Sequence, residues 1–194
     1  AFSRTLALEL ERMAIHTGDL GALSGDVAYQ LGNAVFGRLR TPIINFNQSW
    51  YGNRLGRGLI RPGRTNHPFT EQLARSLETI LDSYEKDYIE MVDRLFAMPG
   101  VLARFENTGV VTRRDALNAG LTGVAAKASG VCHDIRTSHH HDAYKKFRFS
   151  PMVLTSGDVF ARARVRDLEI RQSMSMVRTL VKEIPSAGKN ADLS

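Results

Sequence analysis

Cysteine is almost missing: Cys132 is the single one in 194 residues. One thiol forms no intramolecular disulfide and no Cys-rich metal site within this chain, a pattern that fits a reducing compartment. Long apolar runs are missing too. None approaches the roughly 20 residues that span a bilayer, so no direct transmembrane segment is expected. No secretory leader is expected, since Ala1-Phe2-Ser3-Arg4 passes straight into a helical pattern, as in a segment excised from a longer protein. Zinc-finger, RRM and KH patterns are absent, and aromatics do not interleave with the basic residues. The net charge of +6 therefore predicts a solvated face plus an acidic partner subunit, and no nucleic acid. The phosphate-loop ending and the nucleophile elbow are also lacking, which leaves nucleotide hydrolysis and triad chemistry without support.

What is present is helical periodicity. Leu6, Leu10, Met13, Thr17, Leu20, Ser24, Val27 and Leu31 follow alternating spacings of four and three, one stripe of an amphipathic helix with Glu9, Glu11 and Arg12 off it. Gly18, Gly21 and Gly25 lie in the same stretch. Glycines inside a helix cost about 1 kcal/mol each relative to alanine, so another backbone, a cofactor or a substrate is expected close by. Asn33 to Tyr51 is a second helical candidate, interrupted or restarted at Pro42. Residues 52–68, rich in glycine, proline and arginine, read as a loop. Thr70 to Phe96 carries the clearest stripe: Leu73, Leu77, Ile80, Tyr84, Tyr88, Met91 and Leu95. Thr112-Arg-Arg-Asp115 has the form of a capping box that opens a short helix. Residues 130–151 show no sustained period and read as an ordered connection. After the capping signal Thr155-Ser-Gly-Asp158, the pattern Phe160, Leu168, Met174, Val177 and Val181 predicts a long helix that stops before Pro185. The expected fold is mainly α: a bundle of three long helices with short helices, an ordered connection and little strand. Residues 1–185 form one central helical domain and 186–194 a frayed tail.

Four stretches taken in order resemble a known family. They are Glu9-Leu-Glu-Arg-Met-Ala-Ile-His16 with Gly18-Asp-Leu-Gly-Ala-Leu-Ser-Gly-Asp26; Gly52-Asn-Arg-Leu-Gly-Arg-Gly-Leu-Ile-Arg-Pro-Gly63; Thr122-Gly123 with Ala128-Ser-Gly-Val-Cys-His-Asp-Ile-Arg136 and Tyr144; and Ser156-Gly-Asp-Val-Phe-Ala-Arg162 with Val165-Arg166, Glu169 and Arg171-Gln-Ser173. Together they are similar to the central region of the family that unites the large subunit of group 4 nickel–iron hydrogenases with the 49-kDa subunit of respiratory complex I. The Gly-Asp-Leu-Gly-Ala-Leu and Gly-Asn-Arg-Leu-Gly-Arg-Gly phrases resemble the formate-hydrogenlyase and energy-converting hydrogenase branch, the first reading. A complex I-like NADH:quinone oxidoreductase subunit that contributes to quinone binding is the alternative. A non-catalytic helical interaction domain is the second, and it predicts salt-sensitive binding to nucleic acid.

The resemblance implies an oxidoreductase subunit, inactive as an isolated fragment, that exchanges electrons with an iron–sulfur small subunit while protons move. It implies further partner subunits and a peripheral place on the cytoplasmic side of a membrane. In hydrogenases of this family two Cys-x-x-Cys pairs hold the nickel–iron centre, and soft thiolates suit it. This chain has neither pair, so no cofactor is expected within it; the parent would use a nickel–iron centre, or quinone, with the iron–sulfur cluster in a partner.

Asp26 falls where complex I relatives place an acid lining the quinone-head cavity. As an acid late on an apolar stripe it is a candidate proton relay, its pKa raised where it is desolvated; an exposed acid or a cap is the competing reading. His16 on the same helix is a candidate partner at neutral pH, or a satisfied structural histidine. Asp19 is similarly placed. Arg54, Arg57 and Arg61 suit an anionic partner such as the thiolate cluster of an iron–sulfur subunit, or plain solvent, and Pro62 should hold Arg61 extended. His133, His139, His140 and His141 suggest zinc, but consecutive histidines cannot converge from a regular element, so a hydrated loop is preferred and no metal site is expected. Asp134 and Arg136 are expected to pair and order the connection.

Overall fold

The computed structural model describes residues 1–139 and 141–187. Four long helices carry it: α1 (Phe2–Asp26), α2 (Gln30–Tyr51), α3 (Glu71–Ala97) and α8 (Val159–Ala187). α1 packs against α2 and α8, and α3 packs against the same two, so the four close into a ring around one apolar core. The mainly α expectation holds. The strands among the described residues are β1 (Ile60–Arg61) and β2 (Arg64–Thr65), a short antiparallel hairpin within the arginine-rich loop.

The long helices number four rather than three, because Pro42 does not break α2. Pro42 and Arg38, whose carbonyl loses the Pro42 amide, are both exposed, and water replaces a bond on that face. Ile43, Phe46 and Trp50 on the opposite face are buried and hold the helix through the defect. Gly52, at φ +72°, closes α2 in the left-handed region, its amide donating to the Gln48 carbonyl.

α1 ends earlier than its stripe suggests. Tyr29 N–H donates to Ser24 O at 2.8 Å across Ala28, which sits at φ +60°, a terminating geometry that usually takes glycine. Leu31 consequently opens α2 and is half exposed. The six earlier members, Leu6 to Ser24, are all buried. The helix runs unbroken through its glycines, and α2 is what approaches them. A Cβ on Gly21 would lie 3.3 Å from the Phe36 Cβ, and one on Gly18 3.1 Å from the Arg40 side chain.

Thr70 caps α3 by accepting from Leu73 N–H, and its stripe is buried at Leu77, Tyr84, Tyr88, Met91 and Leu95, with Leu73 and Ile80 at the margin. Between α3 and α8 the chain makes four short helices, α4 (Pro99–Phe105), α5 (Arg113–Asn118), α6 (Gly123–Ala128) and α7 (Ile135–Ser138), then a 3-10 turn at Asp142–Lys146. The Thr112 half of the capping box forms: its Oγ1 accepts from Asp115 N–H and donates to Asp115 Oδ2. At α8 the cap is Asp158, whose Oδ1 accepts from Ala161 N–H at 2.8 Å and Oδ2 from Asn107 N–H at 2.9 Å. Burial raises its pKa, but these donors outweigh it and hold the carboxyl below the usual range. α8 continues through Pro185 to Ala187, since a proline so near the end forgoes one amide and leaves the earlier turns intact. The rest of the expected tail, and His140, lie outside the described residues.

Candidate functional site

Glu9, Arg12 and His16 sit three and four residues apart on α1, so they share one face. On α8, Gln172 and Ser173 lie three and four residues after Glu169 and share its face. Where the faces meet, the short-helix segment inserts Lys127 from α6, Asp134 and Arg136 from the start of α7, and Tyr144 from the 3-10 turn. The result is a buried ion network. Glu9, Lys127, Asp134, Arg136 and Glu169 are each no more than 5% exposed.

The network is nearly saturated. Glu9 Oε1 accepts from Arg136 Nη1 at 3.1 Å and from the Tyr144 hydroxyl at 2.5 Å, and Oε2 from Ser173 Oγ at 2.6 Å. Asp134 accepts from Arg136 Nε at 3.0 Å and Nη2 at 2.9 Å, and from the Arg136 main-chain N–H at 3.0 Å. The expected Asp134–Arg136 pair is present, and it is one link in a longer chain. Lys127 Nζ bridges Asp134 Oδ2 at 2.8 Å and Glu169 Oε1 at 2.6 Å. Glu169 Oε2 then meets His16 Nε2 at 2.7 Å and Arg12 Nη1 at 3.4 Å. Arg136 also donates to Gln172 at 3.0 Å and lies 4.5 Å over the Phe149 ring.

Three carboxylates, Glu9, Asp134 and Glu169, face the basic side chains of Arg12, Lys127 and Arg136. Burial alone would raise the pKa values of Asp134 and Glu169; the donors reverse the sign. For Glu169 the bond from His16, then Arg12 and Lys127, hold the carboxyl down at about 2. Asp134 is held well below its ordinary value by Arg136 and Lys127 against its burial. Burial and the Glu9 carboxylate push the Tyr144 hydroxyl far above the range where it ionises. An ionised Glu169 can only accept, so the His16 Nε2–H donates to it. His16 Nδ1 is buried with no partner.

His16 is thus inside the network, and Asp26 is not. Asp26 is the last residue of α1 and is exposed. Ten residues of helix put it roughly 15 Å along the axis from His16. Asp19 pairs with Arg166 Nε at 2.8 Å. Among the described residues His139 and His141 spend ring nitrogens on local contacts, His141 packs on Tyr144, and no group of three His, Cys, Asp or Glu side chains is placed to share a metal ion. Sequence reasoning misses Glu9, which lies off the apolar stripe, and gives Lys127 no role; the spacing of Glu9, Arg12 and His16 is the available signal.

Arg54, Arg57 and Arg61 are all exposed, and Arg61 is extended in β1 as expected. Between Asp26 and Glu71 the chain has six arginines and no acid, so this segment holds the whole net charge; the other 20 basic residues balance the 20 acids. Arg38 pairs with Asp87, whereas the side chains of Arg40, Arg54, Arg57, Arg61 and Arg64 have no ion-pair partner among the described residues. Beside them α1, α2 and the loop enclose a cavity of about 190 Å³. Asn47, 3% exposed, lines it with an unpartnered Oδ1, a defect that costs about 1–3 kcal/mol while it persists.

Residues 26–193 match the family described as the respiratory-chain NADH dehydrogenase 49 Kd subunit. Curated relatives include a subunit of the NADH-quinone oxidoreductase of Dehalococcoides mccartyi, 30% identical over 186 residues, covering 95% of this chain and 50% of the relative. The corresponding subunit from Campylobacter jejuni is 31% identical over 193 residues, covering 95% and 46%. A chain in the structure of the membrane-bound sulfane sulfur reductase, an archaeal respiratory membrane complex, superposes with a TM-score of 0.84 at 25% identity, covering 93% of this chain and 49% of that one. The chain spans about half the length of the curated relatives it matches. These relatives bear the complex I-type name, which favours the complex I-like alternative over the hydrogenase branch.

Proposed function

We propose a function from the premise that this chain belongs to the 49 Kd subunit family of the respiratory-chain NADH dehydrogenase: it is the helical-bundle portion of an oxidoreductase subunit in a membrane-associated complex of the NADH:quinone type. The observation that carries the reading is convergence. Three of the four stretches that resemble the family, far apart in sequence, supply Glu9, His16, Asp134, Arg136, Tyr144 and Glu169 to one buried network. No helix among the described residues is long and apolar enough to cross a membrane, which suits a peripheral subunit, on the cytoplasmic side in this proposal.

Nickel and iron–sulfur centres need several soft thiolates. Cys132 is one, and it is exposed, so these residues do not fit either group and no step proposed for this chain runs through one. An iron–sulfur partner subunit supplies electrons in this proposal, with Arg54, Arg57 and Arg61 facing it, and quinone accepts them. Asp26, at the open end of α1, lines the quinone side. Covered by a partner there, its carboxyl is the candidate proton carrier. His16, anchored on Glu169, takes and returns a proton without leaving the bundle.

The test is Asp26→Asn in the assembled complex. Asp26 is exposed in this chain, so the bundle should fold and assemble. Quinone-linked turnover is expected to fall by about 10²-fold or more, the contribution of a positioned acid or base. Wild-type turnover in an intact complex removes Asp26 from the mechanism. The hydrogenase branch makes a separate demand: a Cys-x-x-Cys pair on each side of this segment in the full-length protein. Purification of the full-length protein from membranes with no iron–sulfur subunit attached overturns the assembly reading altogether.

A further inference from the structure

We propose that the groove between α1, α2 and the arginine loop seats an extended segment of a partner protein in which apolar and acidic side chains alternate. The inference rests on the reading of this chain as one subunit of an assembly, and it specifies the chemistry of one contact.

Three independent features meet there. Among the described residues nine large apolar side chains are exposed, and four of them, Leu8, Ile15, Leu55 and Ile60, line this one groove. Clustered exposure of this kind marks an interaction site, whereas scattered exposure does not. The second feature is unmet hydrogen bonding. Asn47 Oδ1 is buried at the groove and lacks a donor, and Arg40 Nε, buried where the side chain crosses Gly18, lacks an acceptor. The third is charge. Arg54 stands on the groove wall, with Arg57, Arg61 and Arg64 in the same acid-free loop, and Glu11 is the one carboxylate on the lining.

An extended segment answers all three. Successive side chains point to opposite faces, so apolar residues enter the groove while the acidic ones between them reach the arginines. The main chain then offers an N–H to Asn47 and a carbonyl to Arg40. A bilayer surface meets the charge and the apolar rim, but acyl chains carry no donor for a buried amide oxygen. The protein partner is therefore favoured.

The groove is tested in two arms. In the assembled complex, benzoylphenylalanine replaces Ile15 or Leu55 and is photoactivated. The expected product joins a second subunit through a stretch with Asp or Glu within two residues of the attachment point. Attachment to lipid, to a remote part of the same chain, or to nothing overturns the proposal. With the isolated full-length subunit, a synthetic peptide alternating leucine and glutamate is titrated against the same peptide carrying glutamine. About tenfold weaker binding of the glutamine form, and a similar loss with Arg54→Glu, is expected. Equal affinity of the two peptides, or binding to phosphatidylglycerol vesicles with no binding of the glutamate peptide, overturns it. A complex that assembles and turns over with the groove uncrosslinked defeats this inference alone; a subunit that assembles with nothing defeats the reading beneath it.

Discussion

The two arginine-bearing regions of this molecule use the same side chain to opposite ends. In the network Arg136 is 3% exposed and satisfied by Glu9, Asp134 and Gln172. Around the loop Arg54, Arg57 and Arg61 are exposed, with no acid in their stretch of sequence. In the first region all the carboxylates are answered within the chain. The second is left to solvent, with no ion-pair partner for Arg54, Arg57 or Arg61 among the described residues. Burial makes the difference: a desolvated guanidinium is tolerated only with its partners in place, whereas a hydrated one waits without penalty.

The sharpest way to break this contrast is Lys127→Met. It leaves Asp134 and Glu169 buried with less compensation, and unfolding by denaturant should show a loss of about 3–5 kcal/mol. A loss below about 1 kcal/mol would put the network on a par with surface pairs. Acid probes the same region next. The Glu169 pKa is depressed in the folded state, so its stabilisation is complete above its ordinary value near 4.5 and is lost as pH falls towards about 2. The midpoint of denaturation should drop across that window by an equivalent of about 3 kcal/mol or less, and a flat profile would mean that Glu169 is not held by the cations.

Tyr144→Phe removes one of three donors to Glu9. Its expected cost is about 1–2 kcal/mol, readable from the same curves and additive with nothing that shares Glu9. The smallest effect belongs to the open region. Arg57→Ala and Arg61→Ala should each change stability by no more than about 0.5 kcal/mol, while both weaken association with an acidic partner at low salt. If either alanine variant unfolds as readily as Lys127→Met, burial does not separate the two regions.

Much of the fold is legible in the sequence. The stripes of α1 and α3, the Thr112 cap and the left-handed stop at Gly52 follow from local rules that act within a few residues. Pro42 misleads because the rule against interior proline assumes a buried or unreplaced bond, and this one faces water. Glu9 misleads for a related reason: an amphipathic pattern sorts acids to the outside, and it takes no account of a partner as remote along the chain as Arg136.

By itself, then, the sequence determined the stripes of α1 and α3, the acid-free segment with its six arginines, and the phrases that carry the family likeness. These depend on residue type and near spacing alone. Tertiary structure decided which charges are buried and paired, that His16 and Asp26 are separated along α1, and that four exposed apolar side chains share one groove. Electrostatic and apolar contacts depend on distance through space, and only the closing of α1, α2, α3 and α8 into a ring sets those distances.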